Sequence, residues 1–173
     1  MFGAKNHYEQ AFSGLLVEAG VRALAVEQAR RPVLNGVTLK NFDVMVQGTD
    51  AILALDLKGR RDRPWVSRTD LFSMMGWRTL LQGKAEPAFL FAFFSRLFDL
   101  PGRQADLPAT RHETPAGVYR FCLLDLESAQ RLAKPRSARW GTLDFAWQPF
   151  ARAVRPLDEV VTLAKMAVSG SRW

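Results

Sequence analysis

The sequence is poor in the residues that build disulfides and zinc sites. Among 173 residues there is a single cysteine, Cys122, and there are only two histidines, His7 and His112. One cysteine excludes an intrachain disulfide and favours a reducing compartment. Cysteine and histidine are also too few to give the spacing of a zinc site. We therefore expect neither a disulfide-stapled secreted domain nor a zinc protein.

Long apolar segments and low-complexity tracts are also missing from the sequence. The longest apolar run, AFLFAFF at 88–94, is too short to span a bilayer as a helix. The first ten residues, MFGAKNHYEQ, lack the apolar core of a signal peptide. No internal repeat or flexible linker divides the chain. We expect a cytoplasmic protein without a membrane partner, folded as one domain over 1–173.

Positively charged side chains are in excess. The chain has 24 Lys and Arg against 17 Asp and Glu, which gives a formal net charge of +7. This excess suits an anionic partner such as nucleic acid, although basic proteins without such a partner are common. The apolar and charged fractions, 48% and 24%, are those of an ordinary globular protein with its own core.

Hydrophobic periodicity predicts alternating helices and strands. Apolar residues recur at helical spacing over 7–19 and over about 69–82, where Thr69 or Ser67 is the candidate N-cap. The predicted strands, a loop and the later elements are, in order, strands 21–26, 39–46, 51–58 and 88–94, an exposed loop 99–117, a strand 118–126, a short helix 127–134, a strand-like segment 139–147 and a helix 156–168. This order predicts an α/β fold, in which helices flank a mixed β-sheet.

Two of the predicted strands carry charges among core residues, in the stretch NFDVMVQGTDAILALDLKGR at 41–60. If the turn centres on Gly48 and Thr49, Asp43 faces Ala54, with Asp56 diagonal to Asp43 and Lys58 further along the same face. The opposite face is apolar and carries Phe42, Val44, Val46, Leu53, Leu55 and Leu57. Either these charges lie at strand ends in water, or two carboxylates converge on one divalent cation.

The chain resembles the PD-(D/E)XK nuclease superfamily over residues 5–95. The resemblance lies in the order of a helix, a strand and then a hairpin that carries Asp on its first strand and Asp-x-Lys on its second. Among its branches the pattern is most similar to the archaeal Holliday-junction resolvases and related small nucleases. Asp43 matches the first Asp of the motif, Asp56 the second acid and Lys58 the lysine. Residues 1–62 also resemble a group of bacterial proteins with an HYE…F start and a KGRR segment.

The resemblance extends to the first helix and has three departures. The family places a metal-binding Glu near the start of this helix, ahead of a Gly, and Glu9 matches that layout before Gly20. Glu18 is the alternative on the same helix. Phe42 replaces the proline of the motif, Asp56 replaces the more usual Glu, and the Gln-x-x-x-Tyr of some second helices is absent.

The resemblance implies a restriction-endonuclease-like fold with an α-β-β-β-α-β core and a C-terminal elaboration at 96–173. It implies Mg²⁺ or Mn²⁺ held by Glu9, Asp43, Asp56 and the carbonyl of Leu57, which are hard oxygen ligands. Lys58 would orient or deprotonate the attacking water, so that Glu9, Asp43, Asp56 and Lys58 form the catalytic set for hydrolysis of DNA phosphodiesters. A homodimer is a further implication, since junction-resolving relatives act as dimers.

A basic cluster follows the motif directly. Arg60, Arg61 and Arg63 are candidates for contacts with DNA phosphates, and Trp65 is a candidate for stacking on a base. The alternative for this cluster is a solvated loop. The alternative for the whole chain is a non-catalytic nucleic-acid-binding or structural protein that retains the nuclease fold.

Overall fold

The computed structural model describes residues 6–97, 99 and 102–163. The N-terminal part contains α1 (His7–Glu18), β1 (Ala23–Ala25), β2 (Val33–Leu34), β3 (Val37–Thr38), β4 (Val44–Gln47), β5 (Ile52–Arg60), β6 (Trp65–Ser67), α2 (Arg68–Leu81) and β7 (Glu86–Ser95). The C-terminal part contains a 3-10 turn (Arg103–Asp106), β8 (Thr110–Thr114), β9 (Gly117–Asp125), α3 (Leu126–Leu132), β10 (Lys134–Ser137), β11 (Thr142–Asp144), α4 (Trp147–Ala153), β12 (Arg155–Pro156) and α5 (Leu157–Val160).

A seven-stranded mixed sheet forms the centre of the fold. Its order is β1-β4-β5-β7-β9-β12, and β8 pairs with β9. Strands β5 and β7 are parallel, whereas the other pairs in the sheet are antiparallel. The run 88–93 of β7 is buried throughout, because β7 lies between β5 and β9 and both of its faces are covered.

Helices cover both faces of this sheet and enclose two apolar layers. On one face, α1 buries Ala11, Phe12, Leu15 and Leu16 against a layer that includes Leu55. On the other face, Met74 of α2 packs in a layer that also contains Phe89, Phe91, Phe93 and Phe150. The spacing of apolar residues in α1 and α2 explains both contacts, since each helix presents one stripe to the sheet. The predicted mixed sheet flanked by helices is confirmed.

The register of the β4–β5 hairpin differs from the prediction by two residues. Val44 pairs with Leu55 and Val46 with Leu53, because the connection is a four-residue turn closed by the Gly48 amide and the Ala51 carbonyl. Ala54 therefore pairs with Met45 rather than with Asp43, which precedes β4 and donates its amide to the Leu55 carbonyl. A shift of two residues keeps the side chains of β4 and β5 on their predicted faces, whereas a shift of one would have reversed the faces.

Several predicted boundaries are wrong for identifiable reasons. Phe42 packs with the layer under α2, since β4 begins only at Val44 and Phe42 precedes it. Part of the predicted loop 99–117 is β8, which forms a hairpin with β9. The predicted helix 156–168 is short, because α5 ends at Val160, and its residues from 164 onwards lie outside the described part. No helix in the described residues is long and apolar enough to cross a membrane.

Candidate active site

The hairpin brings Asp43 and Asp56 together. Side chains alternate along β5, so Asp56 and Lys58 point towards α2 while Leu55 and Leu57 point towards α1. Asp43 stands just before β4 and is fixed at two points. Its amide donates to the Leu55 carbonyl over 2.9 Å, and its Oδ2 accepts a 2.7 Å hydrogen bond from the Leu57 amide.

Asp56 and Lys58 form a buried ion pair. The Lys58 Nζ lies 2.9 Å from Asp56 Oδ2, and both residues are buried. The other carboxylate oxygen, Asp56 Oδ1, is buried and has no hydrogen-bond partner among the described residues. A buried anion with one unpartnered oxygen needs further positive charge or a proton.

Helix α2 adds a third carboxylate that the sequence analysis did not select. Ser67 caps α2, since its Oγ accepts from the Asp70 amide while Asp70 Oδ2 accepts from the Ser67 amide, each over 2.9 Å. This reciprocal capping box leaves Asp70 Oδ1 free to meet Lys58 Nζ at 3.0 Å. Sequence analysis predicted Thr69 or Ser67 as the N-cap, and the structure selects Ser67. The contact of Asp70 with Lys58 was not predicted.

A second lysine, Lys40, completes the cluster from the segment between β3 and β4. Its Nζ lies 2.6 Å from Asp70 Oδ1 and 3.8 Å from Asp56 Oδ1. Lys40, Asp70, Lys58 and Asp56 thus form a closed cycle of ion pairs, hereafter the charge ring. No local pattern in the sequence marks Lys40, because its partners are 16 and 30 positions away, from residue 40 to residues 56 and 70.

The electrostatics of the charge ring are uneven. The pKa of Asp56 is raised to about 7. Burial is the main cause, and the nearby Asp43 and Asp70 carboxylates act in the same direction, whereas Lys58 and Lys40 lower the pKa. Asp70 is also buried, but its lysine contacts and the Ser67 amide hold its pKa below the usual range. Of the two carboxylates, Asp56 is the one with too little compensating charge.

Glu9 lies in a different environment from the two aspartates. Its amide and side chain exchange hydrogen bonds with Asn6, the N-cap of α1. The neighbouring Tyr8 ring lies where a Cβ of Gly59 would point, so this end of α1 covers the sheet face opposite Asp56 and Lys58. The structure does not bring Glu9 to Asp43 and Asp56 as one ligand group. Glu18 is exposed, with His112 Nδ1 at 3.9 Å.

The fit to a divalent cation rests on two carboxylates. In the described residues, no group of three or more His, Cys, Asp or Glu side chains is arranged to hold a metal ion. Mg²⁺ commonly takes only one or two protein carboxylates and completes its shell with water and substrate phosphate. Asp43 and Asp56 fit that mode, because the Asp43 carboxylate is close enough to Asp56 to help raise its pKa and Asp56 Oδ1 has no hydrogen-bond partner in the described chain. Leu57 contributes its amide to Asp43, and a role for its carbonyl stays a prediction.

The predicted DNA-contacting residues divide into two groups. Arg60 is half-buried and donates to the carbonyls of Trp65 and Gly59, while its guanidinium lies 3.8 Å from the centroid of the Trp65 ring. Arg60 therefore covers one face of the indole. Arg61 and Arg63 are exposed and have no hydrogen bond or ion pair with the rest of the described chain.

A cleft of about 390 Å³ begins beside this basic segment. Arg63, Arg103 and Lys134 line it together with Trp147, and Asp62 and Asp144 lie on its wall. A second cleft of about 620 Å³ shares Arg103 and Trp147 with the first and adds Arg152. Both clefts are built largely from the C-terminal part of the chain, which the sequence analysis left without a role.

Comparison with known proteins finds similarity in structure but not in sequence. No family model matches the chain. No curated protein sequence matches it either. Among solved structures, Hjc, a Holliday junction resolvase from Archaeoglobus fulgidus, an archaeal hyperthermophile, superimposes with a TM-score of 0.51 at 14% identity. The match covers 89% of this chain and 94% of that one. The fold of this protein is therefore the mixed, restriction-endonuclease-like sheet flanked by helices that the sequence predicted.

Proposed function

We propose that this protein is a divalent-metal-dependent nuclease that hydrolyses DNA phosphodiesters. The observation that carries the proposal is the juxtaposition of Asp43, Asp56 and Lys58 at the end of the β4–β5 hairpin, in a fold like that of a Holliday junction resolvase. Asp56 Oδ1 adds support, because it is a buried carboxylate oxygen that has no hydrogen-bond partner in the described chain.

Each of the three residues has a distinct role in this proposal. Asp43 and Asp56 would hold Mg²⁺ or Mn²⁺, which supplies Lewis acidity at the phosphate and activates a water molecule. Lys58, at 2.9 Å from Asp56, would donate hydrogen bonds to the phosphate and stabilise the negative charge that develops on it. Glu9 stays a predicted ligand.

DNA is the proposed partner because exposed positive charge lies next to this site. Arg61 and Arg63 follow β5 directly and have no hydrogen bond or ion pair within the described chain. The cleft lined by Arg63, Arg103, Lys134 and Trp147 continues from them and combines positive charge with an aromatic side chain. This combination suits a nucleic-acid strand, since cations contact phosphates and indole rings stack on bases.

The test is a cleavage assay with Mg²⁺ or Mn²⁺ on labelled linear duplex, single strand, flap and four-way junction. We expect cleavage of at least one substrate by the wild type. Asp43→Asn and Asp56→Asn should abolish it, and Lys58→Ala should lower its rate by about 10²–10⁴-fold. Because Lys58 is buried against two carboxylates, Lys58→Gln is tested in parallel, and thermal unfolding confirms that each variant is folded.

Matched controls are available on the surface. Asp50→Asn in the β4–β5 turn and Lys84→Ala after α2 change exposed side chains of the same types and should keep wild-type rates. Calorimetric titration with Mn²⁺ gives a readout that is independent of cleavage. Binding that persists unchanged in Asp43→Asn and Asp56→Asn would contradict the proposed metal site.

One observation favours a second function, that of a non-catalytic nucleic-acid-binding or structural protein with this fold. The charge ring pairs two lysines with two aspartates, so most of the buried charge is already compensated within the protein. On this alternative the folded wild type binds DNA but cleaves none of the four substrates with either metal. The same assay therefore distinguishes the two functions.

A further inference from the structure

We propose that Lys40 and Asp70, which lie outside the nuclease motif, belong to the working site. Lys40 binds the phosphate of the substrate, and Asp70 is a positioning residue for both lysines. This inference rests on the proposed function, because it identifies further residues of the same site. Its test is chosen so that the two proposals can fail separately.

Accessibility distinguishes the two lysines. The side chain of Lys58 is 7% exposed, whereas that of Lys40 is 32% exposed. Lys58 is buried between Asp56 and Asp70, at 2.9 and 3.0 Å from their oxygens. A phosphate that enters from solvent therefore meets the ammonium group of Lys40 before that of Lys58.

The backbone of Lys40 is held in place while its side chain keeps partial access to solvent. The Lys40 amide donates to Ser73 Oγ over 2.8 Å, and its carbonyl accepts from Trp77 Nε1 over 3.0 Å. The preceding Leu39 side chain occupies the space where a Cβ of Gly76 would lie. Three contacts with α2 thus fix the position from which the side chain extends. A fixed backbone with a partly exposed charged side chain suits a residue that exchanges an internal carboxylate for a ligand anion.

Asp70 uses its two oxygens for two purposes. Oδ2 accepts from the Ser67 amide in the capping box, which fixes the carboxylate at the start of α2. Oδ1 contacts both lysines, at 2.6 Å from Lys40 and 3.0 Å from Lys58. Because a capping box alone needs only one of these oxygens, the second is available to orient the ammonium groups. Lys40 leaves Asp70 when it binds a phosphate, whereas Lys58 stays in contact with Asp70. In the complex Asp70 therefore acts through Lys58, and we expect an effect on turnover rather than on binding.

The experiment compares binding and turnover in the same variants. A fluorescein-labelled DNA that the wild type cleaves, or otherwise a labelled four-way junction, is titrated by anisotropy without divalent ions, and kcat and KM are measured with Mn²⁺. We expect Lys40→Gln to weaken binding and raise KM by about 10- to 100-fold, as for the loss of one charge-assisted hydrogen bond, and Lys40→Arg to restore most of the affinity.

Asp70→Asn keeps an acceptor for the Ser67 amide but removes the negative charge. It should lower kcat by about 10- to 100-fold with little change in KM. The matched control for its cap is Asp125→Asn, since Asp125 caps α3 through the Ser128 amide and lies outside the charge ring. The control for Lys40 is Lys84→Ala, at an exposed position.

The outcomes separate the two proposals. Wild-type affinity and KM in a folded Lys40→Gln would overturn the role of Lys40, whether or not the protein cleaves DNA. An effect of Asp70→Asn on thermal stability but not on kcat would reduce Asp70 to a capping residue. If the wild type cleaves nothing but Lys40→Gln still loses affinity, the nuclease proposal fails while the phosphate contact of Lys40 stands.

Discussion

Asp56 is buried with two ammonium groups within 4 Å, and one of its oxygens has no hydrogen-bond partner in the described chain. Burial raises its pKa to about 7, whereas the ordinary value is 3.8. Protonation of Asp56 therefore stabilises the folded state. This contribution is fully present below about pH 4 and is lost as the pH rises through 7, because the unfolded state releases the proton earlier.

The residue-scale prediction concerns pH and stability in metal-free protein. Between about pH 5 and pH 8, the wild type should lose stability relative to Asp56→Asn by roughly 1–4 kcal/mol. Asp70 does not interfere, since its pKa lies far below this window. Urea unfolding of both proteins with EDTA measures the difference, in which the titration of all other groups largely cancels.

The control for the Asp56 prediction is a second Asp→Asn substitution at the surface. Asp50→Asn, at an exposed turn position, should show no such pH-dependent difference from the wild type. If the difference between Asp56→Asn and the wild type were constant over the window, the lysines of the charge ring would be compensating Asp56 fully. That result would remove one argument for a cation at this carboxylate.

At the scale of elements, the N-terminal turn of α1 and the end of β5 are joined through a glycine. The Tyr8 ring lies over Gly59, where an added Cβ would approach within 2.2 Å, and the Tyr8 hydroxyl donates to the Arg60 carbonyl. This contact fixes the distance between α1 and the sheet at Gly59, the residue that follows Lys58. Residue 59 must be small, because any side chain there would displace the aromatic ring.

We therefore expect Gly59→Ala to lower the free energy of unfolding by about 1–3 kcal/mol through displacement of α1. Gly14→Ala is the matched control, since Gly14 lies within α1 and a Cβ there meets nothing within 4 Å. This control should be stabilising by up to about 1 kcal/mol, because alanine favours a helix over glycine. Chemical denaturation of both variants measures the contrast. Equal stability of the two variants would mean that Tyr8 moves aside without cost.

At the scale of the whole molecule, the net charge of +7 favours association with a polyanion. Affinity that arises from phosphate contacts should fall linearly with the logarithm of salt concentration. Arg61→Ala combined with Arg63→Ala should reduce the magnitude of this slope for duplex DNA by about 0.9 per lost contact, or about 1.8 for both. Anisotropy titrations across a salt series give the slopes.

The control for this prediction is Arg111→Ala, which removes an exposed arginine from β8, where it pairs with Glu113. It changes the net charge by one unit without touching the segment after β5. A slope that falls by as much per removed charge in the control would mean that binding follows overall charge. Binding that is absent, or insensitive to salt, would leave Arg61 and Arg63 as residues of a solvated loop.

The sequence by itself determined those features that depend on local periodicity. Alternation along β5 put Asp56 and Lys58 on one face and Leu55 and Leu57 on the other, and this assignment survived a two-residue error in register. The stripe of α1 was equally readable, and the N-cap of α2 was narrowed to Thr69 or Ser67, because each is specified within one or two helical turns.

Only the tertiary structure decided which distant residues meet. Lys40 meets Asp56 and Asp70 across 16 and 30 positions, and a lysine or a capping aspartate carries no local mark of such a contact. The same reason applies to Glu9, whose helical position was predicted but whose side of the sheet depends on how α1 crosses β5. Local patterns fix the direction of a side chain relative to its own strand or helix. Its neighbours from other elements follow from packing, which acts between segments that are remote in the chain.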